Sequence, residues 1–469
     1  MDHVVAAANA PEGARETGLH FTHALLPDGW ARGVRIAMQG GRIAHVERDA
    51  PPRPDDRRGA IGLPGMPNLH SHAFQRGMAG LTGRRGPEGD SFWSWRTLMY
   101  RFVARLTPGD IEAIAALAYM EMLEQGFTRV GEFHYLHHDP DGRPYADPAE
   151  TGARIAAAAE QTGIALTLLP VFYAHGGFGG AAPAPGQARF LTDPAFYALL
   201  VEASRAAVAG LGDAVVGIAP HSLRAATPAE LAAILPLADG GPVHIHIAEQ
   251  VKEVDDCLAW SGARPVQWLL DHAPVDRRWC LVHATHMTGE ESRQLAASGA
   301  IAGLCPITEA DLGDGLFPAI AWREAGGAWG VGSDSNVLID MAGELRLLEQ
   351  GQRLHARARN VLAAGTGRST GRTLFDEALH GGARALGVGD NAGLTAGAAA
   401  DVVSLDPRHP SLIGREGDEW LDSLIFAGGK GTIGDVWRAG RKVVAEGRHV
   451  GRAAIVARYR DTLSRLLAS

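Results

Sequence analysis

Cysteine is scarce in this chain: Cys257, Cys280 and Cys305 are the three in 469 residues. They are scattered and none sits in a CxxC pair, which excludes a disulfide framework and leaves them as small buried hydrophobes. Lysine is as rare, with Lys252, Lys430 and Lys442 set against a combined Lys and Arg count of 44. Basic residues form no run and the net charge is −9, which argues against nucleic acid or an anionic membrane surface as a partner. Any anion bound here has to be met by a few placed arginines. No apolar run approaches the roughly 20 residues needed to cross a bilayer. The opening stretch, "MDHVVAAANAPEGARETG", lacks the basic and apolar regions of an export signal. The expectation is a cytoplasmic protein with a loose N-terminal tail.

A hydrophobic share of 46 % and a charged share of 21 % describe an ordinary globular protein. Its length exceeds what one core usually supports, so a large domain with a smaller one appended is expected. Residues 18 to 62 alternate short apolar pieces with turn signals such as "PDG" and "GG", which suits antiparallel strands. The texture returns in "AADVVSLD" and "VWRAGRKVVAEGRHV" near the C-terminus. Two β-rich ends around a long middle predict a small β-sandwich built from residues 1–63 and 386–469, the latter closing with a helix. The middle, 64–385, repeats a short apolar run followed by an amphipathic, Ala-rich stretch. Its eight runs are "MPNLH", "TRVGEFH", "ALTLLPVF", "AVVGIAP", "VHIHIA", "WCLVHA", "AIAGLCP" and "AWGVGSDS". Helical patterns such as "TPGDIEAIAALAYMEMLEQG" (107 to 126) and "TPAELAAILPLAD" (227 to 239) lie between them. The fold class is therefore α/β, a TIM-like (β/α)8 barrel.

That architecture predicts catalytic groups at the C-terminal ends of strands. His70 and His72 end the first run, His246 the fifth, His283 the sixth and Asp334 the eighth. Neutral imidazoles are strong donors to Zn2+ or Fe2+, and a carboxylate adds charge neutralisation, so His70, His72, His246 and Asp334 make a divalent metal site. HxH alone is a moderate signal; joined to HxxE (His246 to Glu249), a sixth-strand His and "GSDS", it outweighs a reading of unconnected polar residues capping strands. Binuclear barrel sites commonly bridge their metals with a carbamylated lysine near the middle strands. No lysine precedes Lys252, which lies beyond the fifth strand, so a single metal is expected, with a pair bridged by Glu or Cys as the alternative. Such an ion brings the pKa of a bound water to about 7. Glu249 is placed to carry a proton toward a leaving nitrogen, and His283 with Asp334 to orient or deprotonate the water.

This ordered set resembles the amidohydrolase superfamily, in particular its mononuclear deaminase branch. Specificity then rests on the other residues at the barrel mouth. "HSHAFQRGMAGL" places Gln75 and Arg76 after the metal histidines, and "FWSWRTLMY" puts Arg96 in an aromatic-rich loop. "GEFHYLHH" puts Tyr135 after the second strand, and "APHSLRAA" puts His221 and Arg224 after the fourth. Two arginines on separate segments, with Tyr, Gln and His donors between them, suit a small dicarboxylate. A flat nucleobase favours amide and aromatic partners instead. "AHGGFGG" (174 to 180) lacks the GK[ST] of a phosphate loop and is expected to be a mobile loop over the mouth. Trp93 and Trp95 either shield the site or pack.

With "PGMPNLHSHAFQRGMAGL", "PHSLRA", "HIHIAEQ", "VHATHM", "CPITEADLGDG" and "GSDSN" added, the likeness narrows to the formimidoylglutamate deiminase family. That resemblance implies hydrolysis of N-formimino-L-glutamate to N-formyl-L-glutamate and ammonia in histidine degradation. It implies one zinc per subunit, with Fe2+ as the alternative, at His70, His72, His246 and Asp334. It further implies catalysis by Glu249, His283 and Asp334, substrate contacts from Gln75, Arg96, Tyr135, His221 and Arg224, and a homodimer. The rivals are an aminopurine or pyrimidine deaminase on the same scaffold and a metal-free scaffold protein.

Overall fold

In the computed structural model, residues 17–83, 92–389 and 392–468 are described. All eight predicted barrel strands are present: Met66–Ser71, Phe127–His134, Ala165–Phe172, the split pair Val215–Val216 and Ala219–Pro220, Val243–Ile247, Trp279–His283, Ile301–Leu304 and Ala328–Val331. Neighbours pair in parallel within two arcs, and the arcs join at two bridges, Ile218 with Val243 and Ser71 with Asp334. The second seam is made by backbone bonds at the predicted ligands. His72 N–H donates to the Asp334 carbonyl (2.9 Å), and Asp334 N–H donates to that of His70 (3.0 Å).

Two sequence expectations are refined. The fourth run is not one continuous strand: Val215 and Val216 pair with Thr167 and Leu168, the chain crosses at Ile218 to bridge Val243, and Ala219–Pro220 then pairs with Val171–Phe172. The stretch 227–239 is helical at Pro228–Ile234 and tightens into a 3-10 turn at Leu235–Ala238. Pro236 has no N–H for the next α-helical bond, which accounts for the change. Thr107 starts the helix Pro108–Glu124 with a capping box, its side chain accepting from Asp110 N–H while Asp110 caps Thr107 N–H. That helix is buried along most of its length because the helices Glu150–Thr162 and Arg452–Ala468 pack against it.

Strands from both termini form one eight-stranded sheet. Its middle is the antiparallel pairing of Val402–Leu405 with Arg57–Pro64, which ties the C-terminal half to the N-terminal half. Leu19, Phe21, Val34, Ile36, Leu394, Val402 and Trp437 give this small β unit its own apolar cluster. Cys257, Cys280 and Cys305 are all buried and free, as their spacing implied. The barrel axis is filled by Leu69, Cys280, Val282, Ile301 and Leu386. Gly131 makes that filling possible, since a Cβ there would lie 2.5 Å from Leu386 Cδ2 and 2.5 Å from the Leu69 carbonyl. Gly131→Ala is expected to cost about 1–3 kcal/mol of stability through overpacking. Urea unfolding reads this, and an unchanged midpoint would show that the axis is looser than described.

Candidate metal centre and active site

Three imidazoles converge where the barrel closes. The Nε2 atoms of His70, His72 and His246 lie 3.2 Å (70 to 72), 3.3 Å (72 to 246) and 3.1 Å (246 to 70) apart. Asp334 Oδ1 lies 3.5 Å from His70 Nε2 and 3.3 Å from His72 Nε2. All four side chains are buried. Second nitrogens fix two of the rings: His72 Nδ1–H donates to the Phe133 carbonyl (2.9 Å) and His246 Nδ1–H to that of His221 (3.0 Å). Their Nε2 lone pairs therefore face each other across 3.3 Å, two acceptors that cannot hydrogen-bond to one another. Burial holds all three imidazoles below their usual pKa, His70 down to about 3, which keeps them neutral and able to donate lone pairs. A tetrahedral ion with bonds of about 2.0–2.1 Å sets its donors about 3.3 Å apart, so this cage fits one zinc-sized ion.

Beside the cage stands His283. Its Nδ1–H donates to Glu309 Oε1 (3.2 Å), and its Nε2 lies 3.7 Å from Glu249 Oε1 and 3.8 Å from Asp334 Oδ2. Asp334 thus turns one oxygen to the cage and the other to His283. Burial opposes a charge on His283, yet Glu249, Glu309 and Asp334 outweigh it and raise the imidazole pKa to about 10. Burial pushes the Glu249 carboxyl above its ordinary range, with His283 and Arg224 pulling the other way. His283 and Asp334 both sit in the left-handed backbone region, at φ 68° and 42°. Such conformations persist only where the surroundings enforce them, and they cluster at functional sites. His283, Cys305 and Glu309 also lie close enough to suggest a second ion. Hydrogen bonds account for that group: Glu309 Oε1 accepts from Cys305 N–H (2.8 Å) as well as from His283, and burial keeps the Cys305 thiol protonated.

One cavity receives all five residues expected at the substrate. Gln75, Arg96, Tyr135, His221 and Arg224 line it together with His72, His246, Glu249, His283 and Asp334. Gln75 Nε2 donates to the Tyr135 hydroxyl (2.9 Å), leaving the phenolic hydrogen to be given elsewhere. Gln75 Oε1 is buried with no hydrogen-bond partner among the described residues. Arg96 is not on a loop, as the sequence suggested, but on the helix Phe92–Val103, in the turn that carries Trp95 and Met99 into the same cavity. Arg76 is elsewhere: it pairs with Glu121 (2.6 Å) and donates to the carbonyls of Asn336 and Val337. The glycine loop reaches the cavity through Gly176 and is fastened rather than loose. Ala174 N–H donates to the Ala225 carbonyl (2.8 Å), His175 meets Glu230 (2.9 Å), and Phe178 stacks on Trp260. The Trp93 side chain lies outside the described residues.

Sequence reasoning passed over Glu309 and Asp314, both in "CPITEADLGDG". Burial and the neighbouring Glu249 raise the Asp314 carboxyl, whose Oδ1 accepts from Gln250 Nε2. The available signal was the density of acids in that segment, next to a strand end. A larger cavity, about 820 Å3, lies at the other end of the barrel, against the terminal sheet. Its buried charges pair with each other, Arg129 with Asp213 (2.9 Å) and Arg438 with Asp401 (3.2 Å), which marks it as packing between the two units.

An α/β barrel with an N3O cage at its closing seam and a histidine–carboxylate pair beside it defines a class of metal-assisted hydrolases. The profile of the amidohydrolase family matches residues 61–443, and that of the formimidoylglutamate deiminase HutF N-terminal domain matches residues 17–60. The chain belongs to the amidohydrolase family, in its formimidoylglutamate deiminase branch. It is 52 % identical to a formimidoylglutamate deiminase of Pseudomonas aeruginosa over 95 % of this chain and 98 % of the relative. An 8-oxoguanine deaminase of the same organism is 29 % identical over 87 % of this chain and 88 % of its own. The crystal structure of an amidohydrolase from Brucella melitensis superposes with a TM-score of 0.93 at 57 % identity, covering 96 % of this chain and all of the other.

Asp334→Ala removes the one anionic donor of the cage. The variant is expected to purify with far less than one divalent metal ion per chain after dialysis against a weak chelator. Metal analysis checks this, and full retention of the ion would mean that the cage lies elsewhere.

Proposed function

We propose that the chain hydrolyses the formimino C–N bond of N-formimino-L-glutamate to give N-formyl-L-glutamate and ammonia, a step of histidine degradation, with zinc held by His70, His72, His246 and Asp334. The observation that carries the reading is a single buried cavity with an ion-sized cage at one wall and two arginines, Arg96 and Arg224, at others. The likeness to the Pseudomonas aeruginosa formimidoylglutamate deiminase supports it. In this reading residues 64–385 are the catalytic barrel, one ion serves each chain with Fe2+ as the alternative, and the enzyme works as a cytoplasmic homodimer.

A divalent ion in the cage supplies Lewis acidity, which makes water an effective nucleophile at neutral pH. The rest falls to the chain's own side chains. Arg96 and Arg224 grip the two carboxylates of the substrate, and Tyr135, His221 and Gln75 set its orientation, so that the formimino carbon faces the cage. Burial and the charge of Arg224 keep His221 neutral, so it acts as a hydrogen-bonding group rather than a cation. As water adds to the carbon, His283, already protonated among its three carboxylates, and Asp334, whose facing atoms are 3.8 Å apart, orient it, and its proton passes to the ionised Glu249 carboxylate. Glu249, with a carboxyl made more basic by burial, delivers a proton to the terminal nitrogen; the C–N bond breaks and ammonia departs. The two arginines disfavour an aminopurine or pyrimidine substrate, which has no carboxylates to offer them, and a metal-free scaffold has no use for three facing imidazoles.

Ammonia release by metal-quantified enzyme should occur with N-formimino-L-glutamate and not with guanine, cytosine or adenosine; the reverse preference would overturn the assignment. Glu249→Gln is expected to lower kcat by about 10^2–10^4-fold with the metal retained, the range for loss of a proton carrier. Arg96→Met should instead raise KM with zinc in place, and an unaltered KM would remove Arg96 from the carboxylate clamp.

A further inference from the structure

Glu253 has no exposed surface and no part in the chemistry above. It lies in the first turn of the helix Val251–Ser261, where the helix dipole favours a carboxylate. A third-position Glu ordinarily closes a capping box on the N-cap residue's own N–H. Glu253 reaches further back. Its Oε2 accepts from Glu249 N–H (3.2 Å) and its Oε1 from Ala248 N–H (3.3 Å), and Oε2 also stands 4.0 Å from Arg224 Nη2. Ala248 is held in the left-handed region, at φ 51°. L-residues other than Asn, Asp and Gly seldom enter that region, so the turn that aims Glu249 depends on outside support.

Resting on the activity proposed above, we infer that Glu253 is a positioning residue that holds the proton carrier Glu249 and the clamp residue Arg224 in register. The same carboxylate oxygen faces both. A buried carboxylate is costly unless it is paired and hydrogen-bonded, and here two backbone amides and one guanidinium supply that compensation. In return the guanidinium of Arg224 is kept charged against burial, Glu253 being the strongest of the carboxylate influences on it. Binding a substrate carboxylate at Arg224 therefore acts on a group that shares its counter-charge with the Glu249 backbone, so that substrate seating and proton delivery share one support.

The test uses the full chain with metal loaded. Glu253→Gln keeps the size of the side chain but removes its charge and one of its two acceptors. It is expected to lower kcat and raise KM, each by about tenfold, the lower end of the range for residues that support a site from outside. Zinc content should stay at one per chain, and amide hydrogen exchange over residues 247–251 should quicken. In an Arg224→Met background the same substitution should lower kcat and leave KM unmoved, because the clamp it steadies is already gone. Glu253→Asp, which keeps the charge on a shorter stem, should restore KM more than kcat. Kinetic constants within about twofold of wild type with unchanged exchange would overturn the proposal. So would loss of folding or zinc in both Glu253 variants, which would make the residue a general stability element. If wild type releases no ammonia from N-formimino-L-glutamate, the activity reading fails, and the exchange comparison still decides whether Glu253 holds the Glu249 turn.

Discussion

The Nε2 acceptors of His72 and His246, held 3.3 Å apart with His70 Nε2 within 3.2 Å of both, repel one another unless a proton or cation lies between them, and the barrel is organised around keeping them there. The seam that closes the barrel is made of the same residues: Asp334 pairs through its backbone with His70 and His72, whose side chains it joins in the cage. Closure of the fold and assembly of the donor set are therefore one event. Gly332 allows the approach, because a Cβ there would stand 2.7 Å from the His70 carbonyl. The small β unit feeds this seam directly: its strand Arg57–Pro64 runs into the first ligand strand, and Gly65 N–H donates to the Asp401 carbonyl (3.0 Å) from the C-terminal side of the sheet.

Burial has opposite consequences on the two sides of the cavity. It depresses the imidazoles of the cage and keeps them neutral, while it raises the carboxyls of Glu249 and Asp314. His283 escapes the trend because three carboxylates surround it. Asp334 turns one oxygen to the cage and the other to His283, so one carboxylate faces both groups. At the opposite wall the buried guanidinium of Arg224 has carboxylates to balance it, Glu253 first among them, and is kept charged there.

Much of this was legible from the chain because the barrel imposes a rule of position. Ligands had to fall at strand ends, and His70, His72, His246, His283 and Asp334 each mark the end of an apolar run. The scarcity of lysine and the dispersed arginines are the sequence grounds for the proposed single ion and carboxylate ligand. What misled was local texture: the aromatic-rich stretch around Arg96 looks like a loop but is a helix, because its apolar residues pack against the barrel mouth. Arg76, next to the ligand histidines in sequence, is drawn away by Glu121 from a helix 45 residues on.

By itself the sequence determined the strand-and-helix alternation and picked out four metal-ligating residue types and the mouth arginines that the fold brings together, since these depend on apolar period, residue chemistry and order. Only the tertiary structure decided the tautomers of His72 and His246, the two-sided use of Asp334, and the places of Glu253, Glu309 and Asp314. Those features arise from contacts between segments far apart in the chain, where a backbone carbonyl or a buried carboxylate has a meaning set by what faces it, and no spacing in the sequence records that.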